Sequence, residues 1–141
     1  MEECKMKTSI IYATMSGHSK KIALAISKQL NITAYNIKEN PKIDNCEMLF
    51  IVSGIYSGQC KPELLEFVKK INKNQVKSAA LITSSMKKVP QKTVRDALVA
   101  NGIDVKDGEY LCQGGFLLAG LSHPNKNEIA GAVEFAKKYI N

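Results

Sequence analysis

Short, nearly continuous apolar runs alternate with amphipathic segments along this chain, and that alternation leaves few architectures open. Thr8 to Ala13 (TSIIYA), Glu47 to Ser53 (EMLFIVS) and Val76 to Thr83 (VKSAALIT) are apolar with little period-two alternation. Strands of that kind must be covered on both faces, as in parallel sheets. Between them lie helical patterns. Lys20 to Leu30 carries Ile22, Ala23, Ile26 and Leu30 at helical spacing, with Ser19 as its cap. Pro62 to Ile71 begins with Pro and has Leu64, Leu65, Phe67, Val68 and Ile71 as its stripe. Gln91 to Ala100 ends at Asn101-Gly102, a fitting C-cap, and Asn127 to Tyr139 closes the chain with Asn125 placed to cap it. Ile32 to Ile37 is a weaker strand, followed by a connection from Glu39 to Cys46. Tyr110 to Cys112 lies in a fifth strand that starts near Asp107 or Glu109. Strands alternating with helices in this way predict an α/β fold: a five-stranded parallel sheet with helices on both faces.

Length and composition narrow the reading further. At 141 residues, one domain over 1–141 is expected, large enough to bury a core without staples. No apolar run reaches the roughly 18–20 residues of a membrane span. The start, Met1-Glu2-Glu3-Cys4-Lys5, lacks the pattern of a signal peptide, so a cytoplasmic protein with no membrane partner is expected. Cys4, Cys46, Cys60 and Cys112 are widely spaced with no C-x-x-C pair, which argues for reduced thiols rather than a metal or disulfide framework. Twenty Lys and Arg against thirteen Asp and Glu give a net charge of +7. That excess raises nucleic acid as a partner. Against it, the lysines are spread along the chain, Arg95 is the lone arginine, Trp is absent and aromatics make up 6%. Bidentate phosphate and base contacts and stacking platforms are therefore scarce, and no nucleic-acid partner is expected.

Open α/β sheets bind ligands beyond the carboxyl ends of their strands. After the first strand comes Thr14-Met15-Ser16-Gly17-His18-Ser19, with three hydroxyls, one glycine and a helix start. Helix-terminal amides favour an anion there, and Gly17 permits close approach of the backbone. The run lacks the glycines of a nucleotide-triphosphate or dinucleotide loop. It also lacks the acidic pair of a receiver domain and the cysteine of a low-molecular-weight phosphatase. Taken alone, it reads equally well as an ordinary capped turn or as a phosphate cradle. After the third strand, Ser53-Gly54-Ile55-Tyr56-Ser57-Gly58 offers two glycines and a flat aromatic. After the fourth, Ser84-Ser85-Met86 offers hydroxyls and a thioether.

With these loops in place, the chain resembles the flavodoxin family over essentially its whole length. Thr14-Met15-Ser16-Gly17-His18-Ser19 is similar to that family's [ST]-x-[ST]-G-[NH]-[ST] loop. Gly54-Ile55-Tyr56-Ser57-Gly58, Cys112-Gln113-Gly114-Gly115-Phe116 and Ser122-His123-Pro124-Asn125 resemble stretches of its short clostridial-type members. The resemblance implies a flavodoxin-like three-layer sandwich that binds FMN. Thr14, Ser16 and Ser19 would then hold the phosphate by their side chains, and Met15, Gly17 and His18 by their backbone. The loop with Ser53, Gly54, Ile55, Tyr56, Ser57 and Gly58 would stack on the flavin, and Ser84, Ser85 and Met86 would form the third loop. Three features depart from the family. His18 stands where Asn is most common, the third loop has Met86 but no aromatic, and the charge is basic where electron-transfer flavodoxins are typically acidic.

The implied function is electron transfer through semiquinone and hydroquinone FMN, with redox partner proteins, acidic ones in particular. Two alternatives stand beside it: a small FMN-dependent reductase for a quinone or other small molecule, and a non-redox interaction module. In the carrier reading, a carbonyl near Gly58 would turn to accept the N5–H of the semiquinone. Lysines near the flavin, with Lys61, Lys87 and Lys88 as candidates, would stabilise its anionic reduced form. The semiquinone–hydroquinone potential is then expected to be less negative than in acidic flavodoxins. Potentiometry checks this, and a potential as low as theirs would refute it.

Overall fold

In the computed structural model, residues 7–14, 17–55, 60–85, 90–113 and 125–140 are described. Their elements run β1 (Thr8–Ala13), α1 (His18–Leu30), β2 (Ala34–Asn36), a 3-10 turn (Ile37–Glu39), β3 (Cys46–Gly54) and α2 (Pro62–Lys70). Then come β4 (Val76–Ser85), α3 (Lys92–Ala100), β5 (Asp104–Gln113) and α4 (Lys126–Lys137). The strands form one parallel sheet in the order β2-β1-β3-β4-β5. The expected order of strands and helices is the one observed.

Side-chain parity along the strands builds two cores. Ile11 and Ala13 of β1, Leu49 and Ile51 of β3, and Leu81 of β4 face one way, against Leu64 and Val68 of α2 and Val94 and Leu98 of α3. The intervening residues Ile10, Phe50, Val52 and Ile82 face the other way, against Ile22 and Ile26 of α1 and Ala132, Val133 and Ala136 of α4. Successive residues of a strand point to opposite faces, so a strand buried on both must be apolar throughout. Phe50, Ile51, Val52, Leu81 and Ile82 are all essentially inaccessible. None of the helices among the described residues is long and apolar enough to cross a membrane.

Element ends differ from the sequence reading where local polar bonding or edge position intervenes. β2 stops at Asn36 rather than running to Ile37. The Asn36 side chain accepts the Lys38 N–H at 3.0 Å, and the Glu39 carboxylate accepts the Asn36 N–H at 3.0 Å. This reciprocal cap turns the chain out of the ladder. β5 starts at Asp104, several residues earlier than expected. It is an edge strand, and its charged start, Asp104, Lys106 and Asp107, hides it from an apolarity reading. Its pairing with β4 jumps from Ala79↔Val105 to Leu81↔Glu109, so β5 carries extra residues at that point. β4 runs on to Ser85, which places Ser84 and Ser85 at the end of a strand rather than in a loop.

Two caps agree with the sequence. Asn125 Oδ1 accepts the Glu128 N–H at 2.8 Å while Glu128 Oε1 accepts the Asn125 N–H at 2.9 Å. At the end of α3, Gly102 takes φ +82, and the N–H groups of Gly102 and Ile103 donate to the carbonyls of Val99 and Leu98. That is the double closure a C-terminal glycine allows. Asn101 adds a tie between helices, its Nδ2 donating to the carbonyls of Val68, Lys69 and Ile71 at the end of α2.

One packing contact is more restrictive than the caps. Tyr110 of β5 lies against α4 at Gly131, and its hydroxyl donates to the Glu128 carbonyl at 2.8 Å. A Cβ at Gly131 would collide with the Tyr110 hydroxyl and ring. Phe135 and Tyr139 continue the aromatic row, with Phe135 centred 6.0 Å from Tyr110 and 5.2 Å from Tyr139. Gly131→Ala should therefore destabilise the protein despite alanine's better helix propensity, by about 1–3 kcal/mol of overpacking. Denaturant unfolding reads the change, and a gain in stability would show that α4 shifts freely.

Candidate functional site

The strand order reverses between β1 and β3: the chain leaves β1 to lay β2 on one side, then crosses to lay β3 on the other. In a doubly wound sheet of this order, the crevice at such a switch is the expected ligand position. β1 and β3 are paired along their length, ending at Ala13↔Ser53. Their carboxyl ends therefore sit side by side, and the chain leaving each feeds the same edge of the sheet.

At the end of β1, Thr14 Oγ1 accepts the Gly17 N–H at 2.8 Å. This closes a tight turn and leaves the Thr14 hydroxyl proton available as a donor. Gly17 takes φ +88, a backbone that side chains disfavour, and α1 begins at the next residue. The first intrahelical bond runs from the Lys21 N–H to the Gly17 carbonyl at 3.0 Å. Amides ahead of it, such as those of Ser19 and Lys20, have no acceptor within the helix.

Ser19 differs from its expected role. It does not cap α1 but forms part of the first turn, with no side-chain cap bond at the helix start. It is fully buried, and its Oγ is the one buried side-chain polar atom among the described residues with no hydrogen-bond partner. An unsatisfied buried hydroxyl costs about 1–3 kcal/mol, so its persistence calls for a function. His18 opens the helix and is half-buried.

Lys61, just ahead of α2, reaches across to this turn. Its Nζ donates to the Thr14 carbonyl at 3.3 Å and lies 3.6 Å from the Glu63 carboxylate. The Lys61 side chain is only 14% exposed. A positive charge is thus held at the mouth of β1 with a single, half-exposed carboxylate beside it. Cys60, next to it, is half-buried, and burial pushes its thiol above the usual range. Burial does the same to Cys46 at the start of β3, outweighing its hydrogen bonds.

The ends of β3 and β4 are drawn into a buried polar cluster. Ser53, Ser84 and Ser85 are buried, and the Ile55 N–H donates to the Ser84 carbonyl at 2.9 Å. The Ser53 hydroxyl accepts from Gln91 Nε2 at 2.6 Å, and the Gly54 carbonyl accepts from the same nitrogen at 3.3 Å. Ser53 and Gly54 therefore serve the scaffold in this structure. Gln91 was legible only as a helix start, because no local motif marks a side chain that bonds across the sheet. The same holds for Glu109, Thr83 and Arg95, which no local motif marks. Glu109 Oε2 accepts from the Thr83 hydroxyl at 2.6 Å and the Gln91 N–H at 2.9 Å. Arg95 donates to Glu109 Oε1 at 3.3 Å and to the Lys106 carbonyl at 2.8 Å.

Of the expected site residues, the structure brings Thr14, Gly17, His18 and Ser19 together at the start of α1, with Ser53, Gly54 and Ile55 at the neighbouring strand end. Ser84 and Ser85 stand at the end of β4, one strand further on. Met15, Ser16, Tyr56, Ser57, Gly58 and Met86 lie outside the described residues, as do Lys87, Lys88 and His123.

Comparison with known proteins gives consistent findings. The family model for the flavodoxin domain matches residues 9–137. An uncharacterized protein of Methanocaldococcus jannaschii is 34% identical over 149 residues, covering 96% of this chain and 99% of that protein. The crystal structure of oxidised flavodoxin 2 from Bacillus cereus superposes with a TM-score of 0.69 at 16% identity, covering 94% of this chain and 99% of the other. Rubredoxin oxygen:oxidoreductase from Desulfovibrio gigas gives a TM-score of 0.68 at 13% identity, covering 93% of this chain but 34% of that one.

The raised thiols give a pH test. Cys46 and Cys60 should stay protonated at neutral pH and alkylate slowly there, with rates climbing only as pH passes the ordinary thiol value of about 8.5. The sign for stability follows: the folded state holds the thiol proton more tightly than the unfolded chain. Stability from this source is therefore complete below the unfolded thiol's pKa and falls as pH rises through the raised folded value. Fast alkylation of Cys60 at pH 7 would contradict its burial.

Proposed function

The chain belongs to the flavodoxin-domain family, and from that premise we propose that it binds FMN at the mouth of β1 and β3 and works as a cytoplasmic electron carrier. The observation that carries the reading is the buried, unpartnered Ser19 hydroxyl in the first turn of α1. Beside it are the Thr14 hydroxyl and the Ser19 and Lys20 amides, a donor set that fits a phosphate dianion. Gly17 turns the chain into this helix start with a left-handed backbone that favours glycine, and the place a Cβ would take is open space. Bound FMN would supply one- and two-electron redox chemistry, and the protein's part would be to hold and tune it.

Each described residue has a task in this reading. Thr14 and Ser19 donate to the phosphate, and the positive end of α1 favours its charge. The Lys61 ammonium, held against the Thr14 carbonyl, adds a fixed positive charge that favours both the phosphate and an anionic reduced ring. Tyr56 and Gly58 are assigned to the flavin-stacking segment, and Met86 to the third, from their sequence positions. Partners are proposed to be acidic redox proteins. A chain of net charge +7 attracts them over a distance that salt shortens, with a Debye length of about 10 Å at 0.1 M.

Titrating apoprotein with FMN tests the reading. Saturable quenching of FMN fluorescence and a perturbed visible spectrum are expected. Gly17→Ala should lower the stability of the apoprotein by about 1–2 kcal/mol, the cost of holding alanine in a left-handed backbone, and denaturant unfolding reads that loss. Reduction should proceed in two separable one-electron steps. Unperturbed FMN spectra would overturn the binding site, and reduction in a single two-electron step would overturn the carrier role.

A further inference from the structure

Lys61 carries a charge from the start of α2 to the end of β1. Its backbone is set by its neighbour. Proline pushes the residue before it into extended geometry, and Lys61, ahead of Pro62, takes φ -63 and ψ 134. Its carbonyl then opens α2 by accepting the Leu64 N–H at 3.0 Å. From that fixed root the side chain crosses to the first turn, where Nζ donates to the Thr14 carbonyl at 3.3 Å. Thr14 is engaged on its side chain as well, since its hydroxyl oxygen accepts the Gly17 N–H at 2.8 Å. The ammonium is therefore attached to the residue that shapes the start of α1.

That ammonium is withdrawn from water but loosely partnered. An ammonium has three N–H donors. Among the described residues, its polar partners are the Thr14 carbonyl, at a long hydrogen-bond distance, and the Glu63 carboxylate at 3.6 Å, which is an ion pair rather than a hydrogen bond. Glu63 is half-exposed and stands in the first turn of α2, where the helix dipole also favours its charge. It therefore neutralises Lys61 only in part. A desolvated charge is costly unless it is well paired. In the first turn of α1, which follows Thr14 and Gly17, the Ser19 hydroxyl is fully buried with no partner. One charged donor and one neutral donor are thus left underused around a single turn, and an anion answers both.

We propose that Lys61 and Glu63 form a charge pair that sets the specificity of the first-turn site. Lys61 makes the site prefer a phosphate monoester dianion over the same ligand without its phosphate, and Glu63, acting through Lys61, limits that preference. The proposal rests on the binding reading above and deepens it, because it gives the Lys61 charge a selective task at the phosphate end and brings in Glu63. Glu63 is a positioning residue that does not approach the ligand. It competes with the ligand for the ammonium. Removing its charge therefore strengthens the anion site, and removing the ammonium cancels that effect.

Calorimetric titration of the apoprotein with FMN, riboflavin and inorganic phosphate at one salt concentration tests the pair. Lys61→Met keeps the length of the side chain and removes its charge. It should weaken FMN and inorganic phosphate about tenfold and leave riboflavin within about twofold. Lys61→Arg should restore most of the loss. Glu63→Gln should tighten FMN and phosphate about two- to fivefold, and in the Lys61→Met background it should change neither. Lys92, exposed on α3 and paired with Asp96, supplies the control for net charge. Lys92→Met should leave all three affinities within about twofold, because salt screens a distant charge. Unchanged FMN and phosphate binding in Lys61→Met overturns the proposal. So does equal weakening of FMN and riboflavin, or an equal effect of Lys92→Met. An effect of Glu63→Gln that persists without Lys61 overturns the role of Glu63. If the wild type binds phosphate but not FMN, the cofactor reading fails, and the phosphate titrations still decide the pair. If it binds FMN but not phosphate, the FMN-to-riboflavin ratio decides it. Binding of none of the three overturns both.

Discussion

The β1–β3 ladder is the constraint on which the rest of the molecule turns. Six register pairs, from Thr8↔Met48 to Ala13↔Ser53, join the two strands in parallel. A parallel pair cannot be closed by a tight turn, so the chain must travel out and back through a crossover. Here that crossover also lays β2 on the outer side of β1, and β3 then opens the other half of the sheet. Two consequences follow. Helices must cover both faces, which is why β3 is apolar on consecutive residues. The carboxyl ends of β1 and β3 also lie side by side, at Ala13 and Ser53, and the chain diverges from there into the turn at Gly17 on one side and past Gly54 on the other.

That point shows two ways of treating polar groups in a dry setting. On the β3–β4 side they are paired. Ser53, Thr83, Gln91 and Glu109 share one set of hydrogen bonds, and the lone arginine closes it at the β5 edge. On the β1 side one group is left open. Ser19 is as deeply buried as any core residue, yet its hydroxyl has no partner among the described residues. A fully paired cluster holds shape, whereas an open donor at a helix start is a cost that a bound anion would remove. The contrast within a single strand-end crevice favours a ligand at the first turn of α1 and a scaffold role for the cluster beside it.

Charge takes on a local meaning in this arrangement. The basic excess of the sequence is spread too thinly to identify a partner class by itself. Lys61 gives one of those charges an address, since its ammonium is largely withdrawn from solvent and set against the Thr14 carbonyl. Only at such a site, with little water to screen it, does one lysine weigh heavily on a neighbouring anion.

The sequence by itself determined the order of elements, the two-sided burial of the central strands and the first-loop constellation of Thr14, Gly17 and Ser19. These are local or periodic properties: apolar runs, helical spacing, a glycine beside hydroxyls. The helix caps at Asn125 and Asn101-Gly102 were legible for the same reason. The start of β5 and the early end of β2 were not. The first is a charged edge strand, and the second is set by a side-chain cap at Asn36. Tertiary structure alone decided that Ser19 is buried without a partner rather than capping its helix, and that Lys61 sits against the first loop. It alone decided that Ser53 belongs to Gln91 and that Arg95 belongs to Glu109. Those contacts join residues 14, 38 and 47 positions apart, some of them across strands, and no local pattern encodes a distance that only the closed sheet creates.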